Sequence, residues 1–121
     1  MNPVKISPRE KLSTIHDYWN PRLLAELNGQ HVKLAKFRGD FIWHHHEHED
    51  ELFFVVEGRF RMDLRGRQIW VEPGEMIIVP RGVEHKPYAE DEVSVLLFEP
   101  ATTVNTGNVE SVYTKRSIDP I

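Results

Sequence analysis

Between Arg59 and Arg65 the chain alternates without a break: Phe60, Met62 and Leu64 fall on one parity, Arg59, Arg61, Asp63 and Arg65 on the other. Successive side chains of a strand point to opposite faces, so this stretch predicts a strand with one face in a core and the other in water. The segments "EMIIVP" and "VSVLLFEP" are more continuously apolar. They predict strands covered on both sides, by the interior of a barrel and by a second sheet or a second subunit. In "RLLAELNGQHVKLAKF" an Asn28-Gly29 pair separates two partly apolar runs, a hairpin signal because both turn residues take positive φ.

Turn residues then recur about every eight positions, at Gly39, Gly58, Gly66, Pro73-Gly74, Pro80-Gly82 and Glu90-Asp91. Short strands at such spacing predict an all-β sandwich or barrel. One helix precedes them. In "SPREKL", Ser7 is an N-cap candidate, Pro8 sits at the first helical position and Glu10 lies three residues after the cap, which predicts a short helix from about Pro8 to Ile15. Beyond Pro100 the pattern decays into a polar arm, 101–121, expected to lie over the domain or across a dimer.

With 121 residues the chain fits one domain: a helix and hairpin over 7–38, a barrel over about 30–100, and the arm. Its 40% hydrophobic content fits a globular protein, and its apolar runs are too short to span a bilayer. No cysteine is present, so disulfides and thiolate zinc sites are excluded, and "MNPVKISPREKLS" has no apolar signal-peptide core; the expectation is a cytoplasmic protein. The net charge of -4 and the dispersed Lys and Arg argue against a nucleic-acid partner and leave a small molecule or another protein.

The candidate chemistry lies in "WHHHEHEDE", where four histidines and four acidic residues fill positions 44–51. On a strand His44 and His46 project together while His45 points away. Glu51 would begin the next strand facing the same interior, followed inward by Phe53 and Val55. Further on, "PGEMIIVPRGVEHKPY" delivers His85 at the start of another strand. Three imidazoles and a carboxylate form a nitrogen and oxygen set suited to a divalent Fe, Mn, Ni, Zn or Cu ion.

These stretches resemble the two cupin motifs. The first runs Gly, five residues, His-x-His, three or four residues, Glu, six residues, Gly. Here four residues separate His46 from Glu51 and six separate Glu51 from Gly58, while only four separate Gly39 from His44. The second runs Gly, five residues, Pro-x-Gly, two residues, His, three residues, Asn; it is met at Gly74, Pro80, Gly82 and His85 and ends in Ala89 instead of Asn. The chain is similar to small single-domain bacterial cupins of the phosphomannose-isomerase-like kind. That resemblance implies a double-stranded β-helix, a jelly-roll barrel, with a metal ion held by His44, His46, Glu51 and His85, and commonly a homodimer.

Other residues read more plainly. A shifted register through His46 and His48 leaves too few residues before Glu51, and His16 and His31 lie outside both motifs. Arg81 and Glu84 beside His85 read as a surface pair. Barrel aromatics are more often core than pocket, but parity makes Phe53, Phe60 and Met62 the pocket-wall candidates. Four protein ligands on a six-coordinate ion leave two positions for water, dioxygen or a chelating substrate. The expected function is therefore a metal-dependent enzyme, of isomerase, lyase or dioxygenase type, acting on a small polar or carboxylate-bearing molecule. The alternative is a non-catalytic cupin that binds or senses a small ligand; a purely structural site would be closed by protein ligands.

Overall fold

The computed structural model describes residues 2–121. One helix, α1 (Pro8–Leu12), precedes seven strands: β1 (Arg22–Leu27), β2 (Gln30–Asp40), β3 (Glu51–Glu57), β4 (Phe60–Leu64), β5 (Arg67–Val71), β6 (Met76–Val79) and β7 (His85–Pro100). The helix begins as the sequence predicts, with Ser7 accepting a hydrogen bond from the Glu10 amide. It stops at Leu12 instead of running to Ile15, because the Ser13 and Thr14 hydroxyls bond back to Glu10 O and Lys11 O and close the last turn. Leu12 and Ile15 still pack on Leu34, covering part of the outer sheet face.

β1 and β2 form the expected hairpin, joined by Asn28 and Gly29 with φ of 49° and 77°. The sheet order is β1-β2-β7-β3-β6, with β4 between β7 and β5. All strand pairs are antiparallel. The 16-residue β7 organises the barrel: its first part, His85 to Tyr88, pairs with β4, and its last part, Ser94 to Phe98, pairs with β3. An irregularity between Phe37 and Gly39 on β2 marks the break between these parts. The result is a jelly-roll barrel whose core holds Ala35, Phe53, Val55, Phe60, Met62 and Val95 among others.

The alternating β4 buries Phe60 and Met62 as parity predicts, but Asp63 on the other face is buried too. Arg61 and Lys86 close over its carboxylate at 2.6 and 3.3 Å, and Arg61 in turn rests on the Tyr88 ring. β6 is an edge strand whose Met76 and Ile78 are each 58% exposed, so this chain alone covers only one of its faces. Residues 101–121 fold back on their own barrel: Tyr113 lies against Trp19 and Phe41, and the end of the chain bridges to Leu23. No helix among the described residues is long and apolar enough to cross a membrane.

Candidate metal centre

After β2 the chain leaves regular pairing, and only His44 regains it. His44 N donates to His85 O (3.1 Å) and His85 N donates to His44 O (2.9 Å), an isolated antiparallel bridge. Residues opposite one another across such a bridge share a face, and the two rings lie 4.2 Å apart between centroids. Beyond the His44 bridge, residues 45 and 46 are not in a strand, in contrast to the sequence expectation, yet the alternation persists: His44 and His46 are buried while His45 is half-buried, its Nε2 2.6 Å from Glu47. Glu51 opens β3 and His85 opens β7.

What replaces the missing strand partner is the C-terminal arm. Asn108 N donates to His45 O (3.0 Å) and Asn108 Oδ1 accepts from His45 N (2.9 Å), while Gly82 N donates to His46 O (2.8 Å). Gly107 allows the approach: a Cβ there would stand 2.1 Å from His45 O, at a φ of 55°. The peptide carrying His44 and His46 is thus clamped from the far end of the chain.

His44, His46, Glu51 and His85 are all buried, and one potential ligand atom from each lies within 4.8 Å of the others. His44 Nδ1 and His85 Nδ1 each sit 2.9 Å from a backbone carbonyl, of Ile42 and Val83. Each Nδ1 therefore carries the proton and donates it, which leaves the Nε2 lone pair free. His46 Nε2, His85 Nε2 and Glu51 Oε1 are buried without a hydrogen-bond partner, although Glu51 Oε1 is 3.2 and 3.4 Å from the two nitrogens. Buried polar atoms are rarely left unpaired, and three such atoms drawn together fit a cation. The four residues could hold a metal ion.

Burial and mutual contact shift the ionisation of these groups. Burial, reinforced by neighbouring His85, pushes the His44 imidazole down to about 4. Burial opposes ionisation of Glu51, but His46, His85 and Glu99 more than offset it and hold this carboxyl well below its usual range. Burial and the Glu51 charge hold Glu99 well above that range, against the pull of Lys33. Of two adjacent buried carboxyls, Glu51 thus ionises more readily than Glu99.

Lys33 and Glu99 were not among the sequence candidates. Their ion pair, 2.9 Å long, is 1% and 2% exposed. A signal existed: Lys33 shares the inward parity of Ala35 and Phe37, and Glu99 that of Val95 and Leu97. Also unanticipated was Trp19, whose φ of 58° is a strained conformation for a bulky residue, costing about 1–2 kcal/mol. Its ring stacks on Phe37 at 4.4 Å and Phe41 at 4.8 Å.

Beside the cluster lies a small cavity of about 30 Å³ that opens toward solvent. His44, Glu51, Glu99 and Asn105 supply its polar lining; Trp19, Phe37, Phe41, Phe53 and Leu97 supply most of its apolar wall. Phe60 and Met62 lie in the packed core and do not line this cavity. His45, His48 and His16 stand outside the cluster, and His31 faces Glu26 across the first hairpin. Arg81 and Glu84 are exposed but pair separately, with Asp50 and Arg65.

A cupin domain family model matches residues 30–99, more than half of the chain, and the chain belongs to the cupin family. The crystal structure of a cupin-2 domain containing protein from Shewanella frigidimarina superposes with a TM-score of 0.77 at 41% identity, covering 78% of this chain and 93% of that one. The uncharacterized protein YdbB of Bacillus subtilis is 36% identical over 64 residues, 52% of this chain and 57% of its own length. Acireductone dioxygenase of Pseudomonas savastanoi pv. phaseolicola is 32% identical over 80 residues, 63% of this chain and 44% of that enzyme. The chain thus spans about half the length of the curated relatives it matches.

Proposed function

We propose that this cupin holds one divalent transition-metal ion, Fe, Mn, Ni, Zn or Cu, through His44, His46, Glu51 and His85, and that it is an enzyme acting on a small molecule bound in the adjoining cavity. The observation that carries this reading is the trio of buried, unpartnered acceptors, His46 Nε2, His85 Nε2 and Glu51 Oε1. A metal ion there supplies Lewis acidity toward a carbonyl or hydroxyl oxygen of the bound molecule and, as iron, supports dioxygen chemistry.

The protein's own part is positioning. The Ile42 and Val83 carbonyls fix the tautomers and ring planes of His44 and His85. The lowered affinity of His44 for a proton keeps its lone pair available at neutral pH. Glu51 contributes a negative charge among the four, and the aromatic wall excludes water. Among isomerase, lyase and dioxygenase chemistries, the similarity to acireductone dioxygenases supports the last. We also infer a homodimer in the cytoplasm. On the outer face of β6, Met76 and Ile78 continue the half-buried Phe54 and Leu52 of β3 into an apolar patch suited to a second copy. A monomer mass by light scattering at micromolar concentration would refute the dimer.

Metal analysis of untagged protein purified without oxygen tests the central reading. About one ion per chain is expected in the wild type and none in His85→Ala. Turnover by the loaded protein on a panel of ketones, enediols, keto acids and aromatic diols then separates an enzyme from a module that only binds its ligand.

A further inference from the structure

We infer that the cavity selects a compact oxygen chelator with an uncharged, apolar body, and that Trp19 sets this selectivity. The inference rests on the reading that the four ligand residues hold a metal ion, and it departs from the polar or carboxylate-bearing substrate expected from sequence.

The wall carries the argument. Opposite the ligand cluster, the surface is made by Trp19, Phe37, Phe41, Phe53 and Leu97. The polar groups that remain bring no positive charge to it. Asn105 Nδ2 donates to Tyr113 O (2.8 Å) and its Oδ1 accepts from Lys115 N (2.8 Å), so both ends of the amide are used. Glu99 Oε1 accepts from Lys33 Nζ, Glu99 Oε2 is buried without a partner, and Lys33 itself does not line the cavity. No cationic side chain lines it, apart from what the ligand histidines and their ion would supply. A substrate could present one anionic chelating group to that ion. A second carboxylate, or a phosphate, would be stripped of water against aromatic rings with Glu51 and Glu99 nearby and no counter-charge. This disfavours sugar phosphates and dicarboxylates and favours diketone, enediol or hydroxyketone groups bearing alkyl or aryl substituents.

Trp19 is where the fold maintains this wall at a cost. Its backbone is held left-handed, Trp19 N donates to Lys36 O (2.9 Å), and its indole Nε1 donates to Arg38 O (3.0 Å). These contacts lay the ring flat on Phe37 and Phe41 at the cavity, with Tyr113 of the arm behind it. Strain retained next to a candidate site is the kind of outlier from which a functional role is argued.

Acetylacetone and malonate are the probes. They offer the same chelate spacing, but one carries methyl groups where the other carries charged oxygens. Protein loaded with cobalt(II) is titrated with each and followed by its visible spectrum, and the ratio of affinities is compared with that of free cobalt ion in the same buffer. The wild type is expected to favour acetylacetone about tenfold or more beyond the free-ion ratio. Trp19→Gly, which accepts the left-handed backbone without strain, should lose most of that excess while retaining about one cobalt per chain. If Trp19→Gly does not fold, Trp19→Asn serves in its place, since asparagine also tolerates this conformation. Cobalt bound with no excess preference overturns the inference and leaves the metal reading standing. Failure to bind cobalt overturns both, and an unchanged ratio in the Trp19 variant overturns the role of that residue.

Discussion

The two ends of the barrel interior are built on opposite rules. At one end Phe60, Met62, Val55, Val71 and Val95 fill the space between the sheets with apolar side chains, none of them more than 2% exposed. At the other, an equally buried group consists of three imidazoles, two carboxyls and a lysine, next to a cavity. The first end gains stability from burial alone. The second costs stability, because each polar group gives up water and recovers it only through a partner. A fold tolerates a buried polar cluster and a cavity at one end because the other end is well packed.

The packed end should respond most strongly to truncation. Phe60→Ala removes a fully buried ring and should cost about 4 kcal/mol in urea unfolding, without changing metal stoichiometry in the folded fraction. At the polar end Lys33→Met should cost roughly 3 kcal/mol, because Glu99 is left buried beside Glu51 with no cation. The double variant Lys33→Met/Glu99→Leu should recover most of that loss. A double variant as unstable as the single would mean that the ion pair stabilises the barrel in its own right.

Metal removal sharpens the contrast next. An ion bound only by the folded chain adds about 2.7 kcal/mol at a hundredfold excess over Kd. Chelation near pH 7.5 should then lower the thermal midpoint by roughly 10 °C, and by less as acid is added, because protons compete with the ion for its donor atoms. His85→Ala should abolish the response and His45→Ala should keep it.

In the metal-free chain the sign follows from His44. Above pH 6.5 its ring is neutral in both states; between 6.5 and about 4 the unfolded chain takes up a proton that the folded chain refuses. Its contribution is therefore lost as pH falls through that window, by up to roughly 3 kcal/mol. Glu99, held high, acts in the opposite sense above its unfolded value. The His44 part is thus read as the difference in pH slope between wild type and His44→Ala.

The smallest expected effect tests the clamp. Asn108→Ala removes one hydrogen bond to the His45 amide and should cost about 1 kcal/mol in the metal-free chain. It should also weaken metal binding several-fold while Phe60→Ala does not, because the clamp positions His44 and His46 and the packed end does not.

Strand periodicity, turn chemistry and motif spacing were legible because they are local. A period of two puts Phe60 and Met62 inside, Asn28-Gly29 forces a tight hairpin, and the interval from His44 to Glu51 spans one loop before a strand. The sequence alone thus determined the all-β class, the N-cap at Ser7 and the four residues that the fold brings together. Tertiary structure decided what depends on distant segments meeting. Lys33 and Glu99 are 66 positions apart and become partners only because β2 and β7 pair. The His45 peptide is held by Asn108 instead of a neighbouring strand, and Trp19 reaches the cavity from a loop with no periodic signal. Such contacts have no local signature, since the free energy that places them comes from burying both ends of the chain against the same barrel mouth.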